Sequence, residues 1–376
     1  MSNTFITPTM VARDAAIAMA DRLVVGNIVS RDKEKLFTAD KVGDEIKVTV
    51  PPAVTDASEF SGSTSASTLT EMEVGVKLEK HFYKRADLTS KQKSLELSDF
   101  TRLVTMPLVT GIVDSIDKFI LRNMQVFRRN LTGTVGNRPS TMADIAAATK
   151  TMNDLKLTRM GRVALIDTTV EQSFSQLTQF TSQDYGPDSA AGMREGVLGR
   201  RYGFNFVTDT NAGAFSRSAA ANDIAGTVLV DGTVAAAGTT LHIDGITSAT
   251  GTIYAGTVFT IAGDSTRYVV RKDATIASNE VDLDIYPALA AEATDGVAIT
   301  FEAAGYSNLV YQPAAVAAAI VAPTPLAVNS SVQSFMGVSL RVSMDSSITS
   351  LADSIVYDVF CGCRVIQPDG GALFCG

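Results

Sequence analysis

The apolar residues of this chain fall into three rhythms, and each marks a different kind of element. In the first quarter, alternation dominates. Ile46, Val48 and Val50 lie two apart behind a Val42-Gly43-Asp44-Glu45 turn. Met72, Val74, Val76, Leu78 and Phe82 repeat the pattern, so Glu45 to Val50 and Glu71 to Tyr83 are predicted strands. Between them, Asp56 to Thr70 is polar, low in complexity and nearly free of packing residues. Glu45 to Tyr83 is therefore a two-stranded ribbon with a soft tip. Such a ribbon is marginal by itself and needs a neighbour to lie on.

The second rhythm is helical. After Ser98 and Asp99, apolar residues at Phe100, Leu103, Val104, Leu108, Ile112, Ile116, Phe119, Ile120 and Phe127 follow spacings of three and four. Pro107 either kinks this helix or marks its true first turn. From Leu108 to Leu131 it would run ~36 Å. Arg122, Arg128 and Arg129 complement the dipole at its C-terminal end; a basic patch for nucleic acid is the sharper alternative. A shorter helix is predicted in the N-terminal arm from Ala15, capped by Thr9 or Asp14 and ended by Gly26. Another spans Thr141 to Leu155, capped by Ser140 or Thr141. Arg162 to Asp167 then reads as a buried strand and Thr168 to Leu177 as a short helix, the order of an α/β unit. Ala314 to Val321 reads as a small-residue helix. Gly337 to Asp345 and Asp353 to Ile366 close the chain as strands.

The third rhythm occupies Gly226 to Ala303. Short strands begin at Gly226, Thr239, Gly256, Arg267, Glu280 and Val297. Val, Ile and Leu alternate in them with Thr and Asp, and a Gly, Asp or Asn turn follows every ten residues or so. This is the pattern of a small barrel or sandwich. An all-β module inside another domain requires a host whose two ends sit close together.

Hydrophobic residues make up 45% of the chain and charged residues 19%, enough for a sizeable core. At 376 residues the chain should hold two or three domains. The formal charge of −8 argues against binding nucleic acid by counterion release. No apolar run is long enough to span a bilayer as a helix, and Met1 to Pro8 lacks the order of a signal peptide. Cys361, Cys363 and Cys375 read as reduced thiols packed as small apolar side chains.

Catalytic chemistry is scarce. The two histidines, His81 and His242, lie far apart in sequence, and both read as structural. Nucleophile-elbow, zinc-protease and phosphate-loop motifs are missing. Asp273, Glu280, Asp282 and Asp284 form an acidic rim that reads as a solvated face, because no spacing matches a calcium loop. No catalytic residue, cofactor-binding residue or metal ligand is predicted, and the chain is not expected to be an enzyme. Lys77, Lys80, Lys84, Arg85, Lys91 and Lys93 cluster in and after the ribbon's return strand. They form a basic strip suited to an acidic neighbouring subunit.

The order of these elements resembles the major capsid proteins of tailed bacteriophages with the Hong Kong 97-like (HK97-like) fold. It is most similar to the coat proteins of the short-tailed Salmonella phages, whose body is interrupted by a small β-barrel. Gly256-Thr-Val-Phe-Thr-Ile-Ala-Gly263 resembles that barrel's Gly-Asp-x-Phe-x-Ile-Ala-Gly run, with Thr257 in place of the usual Asp. Gly337 to Asp345 and Tyr357 to Gly362 resemble the family's closing strands.

The resemblance implies an α+β fold with these divisions: an N-terminal arm (1–36), an extended β-ribbon loop with the start of the peripheral domain (37–97), and a spine helix with the peripheral domain (98–140). An axial α/β domain (141–225), an inserted β-barrel (226–303) and a return to the axial and peripheral domains (304–376) follow. It implies a structural protein of the virion that self-assembles into pentamers and hexamers around double-stranded DNA, which it contacts weakly. A portal protein at one vertex is a further implied partner, with assembly in the host cytoplasm. No membrane and no cofactor enter. Because the arm begins almost at once, a separate scaffolding protein is expected for the procapsid. The residues expected between subunits are Phe60, Met72, Val74, Val76, Lys77, Lys80, Lys84 and Arg85, on the reasoning that the ribbon cannot bury its apolar face at home. The rival readings are an encapsulin-like bacterial nanocompartment shell, an α/β enzyme with a β accessory domain, and a secreted adhesin.

Overall fold

The computed structural model describes residues 8–32, 34, 45–50, 72–89, 100–181, 198–220, 223–326, 329–347 and 352–376. The chain divides into two compact units. One comprises Met1–Asp21, Arg31–Ile112 and Ala317–Gln367; the other comprises Arg22–Ser30, Val113–Val316 and Pro368–Gly376. Among the described residues, no helix is long and apolar enough to cross a membrane.

The first unit is built on the strand Ala352–Val365. Lys80–Thr89 pairs with it antiparallel over ten positions, from Thr89 opposite Ala352 to Lys80 opposite Cys361. Val338–Ser347 pairs with its N-terminal half, and Ser330–Phe335 pairs with Val338–Ser347. Side chains alternate as a half-buried sheet requires: Ile355, Tyr357, Val359, Cys361 and Cys363 are all buried. The three cysteines are buried and form no disulfide, as expected of packing thiols.

The ribbon forms, with Ile46 opposite Val76 and Val48 opposite Val74. Its return strand is not continuous, however. Met72–Lys77 stays in the ribbon, while Lys80–Thr89 joins the larger sheet. The break falls where the backbone of Lys77 and Leu78 crosses Gly362. A Cβ there would collide with the Lys77 carbonyl and lie 3.2 Å from Leu78 Cα.

A second departure concerns Ala314 to Val321. Only Pro313–Ala315 makes a single helical turn, and Val316–Val321 is a strand with every residue buried. Alanine's helix propensity is worth only tenths of a kcal/mol per residue over most alternatives. Strand pairing with Ala352–Val365 and burial on both faces outweigh it.

The predicted spine begins with a π-helical turn at Thr101–Thr105, continues as an α-helix over Met106–Met124 and tightens to a 3₁₀ turn at Gln125–Arg129. Pro107 therefore lies in the first α-helical turn. The helix stops short of Leu131, which pairs as a strand with Leu373. The buried stripe runs through Val109, Ile112, Val113, Ile116, Ile120 and Met124, whereas Leu103 is exposed.

The second unit holds a mixed six-stranded sheet: Leu131–Thr132, Gly371–Phe374, Leu309–Tyr311, Arg162–Ile166, Phe204–Thr208 and Arg200–Arg201, in that spatial order. Arg162–Ile166 and Phe204–Thr208 are parallel, with the helix Thr168–Ser175 between them in the chain. Asp167 caps that helix through the Val170 N–H. Met142–Asp154 starts in a capping box between Thr141 and Asp144. A shared core of Phe174, Phe180, Phe204, Phe206, Phe374, Ile145 and Met152 joins helices to sheet.

All six strands predicted between Gly226 and Ala303 form. Their spatial order is Ile299–Phe301, Val258–Ile261, Tyr268–Val270, Val281–Tyr286, Thr240–Ile246 and Gly226–Val230. The two outer strands also meet. Leu229 bridges Ala298, the Val230 N–H donates to the Val297 carbonyl at 2.9 Å, and the Gly296 N–H donates to the Val230 carbonyl at 2.8 Å. Inside lie Val228, Val230, Leu241, Ile243, Phe259, Tyr268, Leu283 and Ile285. The segment's ends are adjacent: Phe215 pairs with Gly305 and Ala214 with Tyr306.

Candidate functional site

The ribbon and the strand after it carry most of the residues expected to act between subunits. Phe60 lies outside the described residues. Met72 opens the ribbon's second strand. Val74 and Val76 are buried within their own chain, at 7% and 1% exposure. Val76 packs with Ile46, Val48, Ala317, Ala319 and Val321. The expectation that the ribbon cannot cover its apolar face at home therefore fails. The cover comes from Val316–Val321, the strand whose alanines suggest a helix.

Lys77, Lys80, Lys84 and Arg85 are exposed. Arg85 donates to Asp87 Oδ1 and to the Ser354 hydroxyl, both at 2.9 Å. Tyr83, opposite Asp358 in the ladder, is 66% exposed, a large aromatic on the surface of this strand. His81 Nε2 lies 2.9 Å from Asp358 Oδ2, and Asp358 also accepts from Arg341 through both oxygens. Asp358 is thus neutralised within its sheet, and His81 is tied to it across the ladder.

The basic end of the long helix is spent inside the chain. Arg122 donates to Asp273 at 2.6 Å and lies over the Tyr254 ring at 3.8 Å. Arg128 is buried, donates to the Tyr306 carbonyl at 3.0 Å and covers the Phe215 ring; burial pulls its pKa down to about 10. Arg129 pairs with Asp369, whose other oxygen accepts from the Tyr286 hydroxyl at 2.7 Å. These arginines fasten the β segment and the C-terminal residues to the helix end. That use displaces the nucleic-acid reading.

The Gly256–Gly263 run has a related role. Gly256 has φ +88°, and its Cα faces the Gln125 backbone so closely that a Cβ would lie 2.8 Å from the Gln125 carbonyl oxygen. Thr257 is fully buried and donates its hydroxyl to Arg217 and Tyr254 carbonyls at 2.9 and 2.7 Å.

The predicted acidic rim splits in two. Asp273 binds Arg122 and accepts the Ala255 N–H, while Asp284 faces Lys272 at 3.3 Å and Arg271 at 3.8 Å. Glu280 and Asp282 instead surround His242. Nδ1 of His242 lies 2.7 Å from Asp282; Nε2 lies 3.1 Å from Asp231 and 3.7 Å from Glu280. The Asp282 hydrogen bond, then the surrounding carboxylates, raise the His242 pKa above its ordinary value. Sequence reasoning misses this grouping. The available signal covers only part of it: His242 and Asp282 alternate with buried residues on their strands and so face outward.

No family model matches the chain, and no curated relative does. Solved structures do match. A chain of Mycobacterium phage Che8 is 16% identical, aligns over 93% of this chain and 90% of its own, and has a TM-score of 0.52. The capsid structure of the cyanophage P-SCSP1u has 12% identity, covers 88% of this chain and 82% of its own, and has a TM-score of 0.47. The capsid of Ralstonia phage GP4 has 9% identity, coverages of 86% and 80%, and a TM-score of 0.44. The likeness to the Che8 chain is one of fold, and it extends over nearly the whole of both molecules.

Proposed function

We propose that this chain is a structural subunit of a phage capsid with the HK97-like fold, which assembles with copies of itself into a closed shell. The observation that carries this reading is the shared fold with the Mycobacterium phage Che8 chain, which spans about nine-tenths of both chains. In this reading the ribbon is the extended loop, Met106–Met124 the spine helix, and the β segment, with its six-stranded sheet whose outer strands meet, is an inserted barrel.

The ribbon's apolar face is covered at home, so its contacts with neighbours come from the rim and the strand after it. Lys77, Lys80, Lys84, Arg85 and Tyr83 are the exposed residues that would meet an acidic sister subunit. With a net charge of −8, the shell would hold packaged DNA with little adhesion. Pentamers and hexamers, a separate scaffolding protein and a portal at one vertex complete the proposal.

Sedimentation velocity and negative-stain microscopy of the full chain test it, across concentration and ionic strength. Large curved or shell-like particles are expected. A species that stays monomeric or dimeric under every condition would overturn the proposal. Regular closed shells from the chain alone would retain the capsid reading and remove the separate scaffold.

A further inference from the structure

The sheet of the β segment brings a chelating set together from three separate stretches of chain. His242 sits in mid-strand and faces Asp282 directly across the ladder. On its other side the Asp231 N–H donates to the His242 carbonyl at 3.0 Å, which fixes Asp231 beside it. Glu280 follows a tight turn in which Ser278 and Asn279 both take positive φ, 56° and 71°, and Ala277 bridges Glu280. None of these placements depends on a flexible loop. Each side chain departs from backbone held by the sheet or its hairpin.

Within this set the imidazole is divided in function. Asp282 holds Nδ1 at 2.7 Å, which fixes the ring and leaves Nε2 pointing at Asp231 and Glu280. A carboxylate behind one imidazole nitrogen, with the other nitrogen free to bind, is the usual support of a histidine metal ligand. Asp231, His242 and Glu280 each offer a donor atom, and these atoms all lie within 4.8 Å of one another. Donors on one tetrahedral ion at bonds of about 2.1 Å stand about 3.4 Å apart. Among the described residues, the ion pairs of Asp231, Glu280 and Asp282 are with His242 alone, whereas Asp284 and Asp273 are matched by Lys or Arg.

We infer that Asp231, His242 Nε2 and Glu280 form a binding site for a first-row divalent transition-metal ion such as zinc, with Asp282 positioning the imidazole and water completing the coordination. One nitrogen and two carboxylates suit such an ion, whereas calcium and magnesium prefer all-oxygen sets. The ion would tie the strands Gly226–Val230 and Thr240–Ile246 to the hairpin before Val281–Tyr286. It would thereby stabilise the β segment by mass action.

The test is calorimetric titration of zinc chloride into the full chain, in buffer containing excess magnesium. Visible absorption of the cobalt(II) form gives a second readout. One saturable zinc site per chain is expected. His242→Gln and Glu280→Gln should each weaken it at least tenfold, and His81→Gln should leave it unchanged. Asp282→Asn, which removes no ligand, should weaken zinc about 10–100-fold and alter the cobalt spectrum. Absence of a saturable site in the unaltered chain would overturn the inference. So would binding that His242→Gln leaves intact, which would indicate only diffuse attraction to the acidic face.

Discussion

Gly26 donates its backbone N–H to Oδ1 of Asp117 at 3.0 Å, and Oδ2 of the same carboxylate accepts the Val24 N–H at 3.0 Å. A single side chain in the middle of the long helix thus holds a bend of the N-terminal segment 91 positions away. Asp117 is 2% exposed, and burial raises its pKa to about 6 despite the N–H donors. The folded protein therefore binds a proton that the unfolded chain, with a pKa near 3.8, releases. Stability from this group is full below the unfolded pKa and is lost as pH rises through 6.

Asp117→Asn removes that titration. The wild type should gain up to about 3 kcal/mol between pH 7 and pH 4 relative to the variant, because each tenfold difference in proton affinity between folded and unfolded chain is worth about 1.4 kcal/mol. The variant should also lose about 1–3 kcal/mol at every pH, because its amide NH₂ faces a backbone donor. Denaturant unfolding of both proteins across this pH range checks the prediction. Parallel profiles would refute it.

Gly256 and Gly263 offer a matched pair. Both have φ +88°, but a Cβ at 256 meets the Gln125 backbone while a Cβ at 263 meets nothing within 4 Å. Gly263→Ala should cost only the backbone strain, about 1–2 kcal/mol. Gly256→Ala should cost about 3 kcal/mol or more and loosen the β segment from the helix end. Thermal unfolding ranks the two, and proteolysis near Tyr254 reports the loosening. Equal melting temperatures would mean that the Gln125 contact is unimportant.

At Gly362 the same logic applies to the ribbon. Gly362→Val places a branched side chain where the Lys77 carbonyl passes, so Met72–Lys77 should lift from its cover. Each 1.4 kcal/mol of lost local stability speeds amide exchange about tenfold. Exchange at residues 72–77 should accelerate by that factor or more, while Lys80–Thr89, held by ten pairings to Ala352–Cys361, should change little. Uniform acceleration in both segments would instead indicate global destabilisation.

How far the sequence discloses this molecule depends on the range over which each signal acts. Six of the eight strands of the β segment are readable because alternation and turn residues are local, and the same signals place His242 in mid-strand; the short pair Thr250–Ile253 and Ala274–Ala277 is not. The partnership of His242 with Asp231 and Glu280 is not readable without the strand register, which only the sheet supplies. Val316–Val321 reads wrongly as a helix because alanine's helix preference is local, while the pairing that overrides it comes from a strand that begins at Ala352. Val76 reads as an inter-subunit position because its cover is equally remote in sequence: within its own chain it packs with Ala317, Ala319 and Val321. The Asp117 carboxylate looks like one more polar position on a helix until the chain brings Val24 and Gly26 over it.

The β segment should fold apart from its host. Its core, from Val228 to Ile299, packs largely upon itself, its outer strands meet through Leu229 and Ala298, and its flanking residues Ala214–Phe215 and Gly305–Tyr306 already pair. A fragment of residues 214–306 should unfold cooperatively, and its Tyr268 hydroxyl should keep its 2.6 Å bond to Asp264. The host has more to lose. Excision of 226–303 leaves Arg122 without Asp273 and Tyr254, and Asp369 without Tyr286, at the point where the long helix meets the C-terminal residues. The excised chain should be insoluble or should form irregular particles, while the fragment gives dispersed amide resonances. A soluble excised chain that assembles as the full chain does would show that the helix end holds without its β partner.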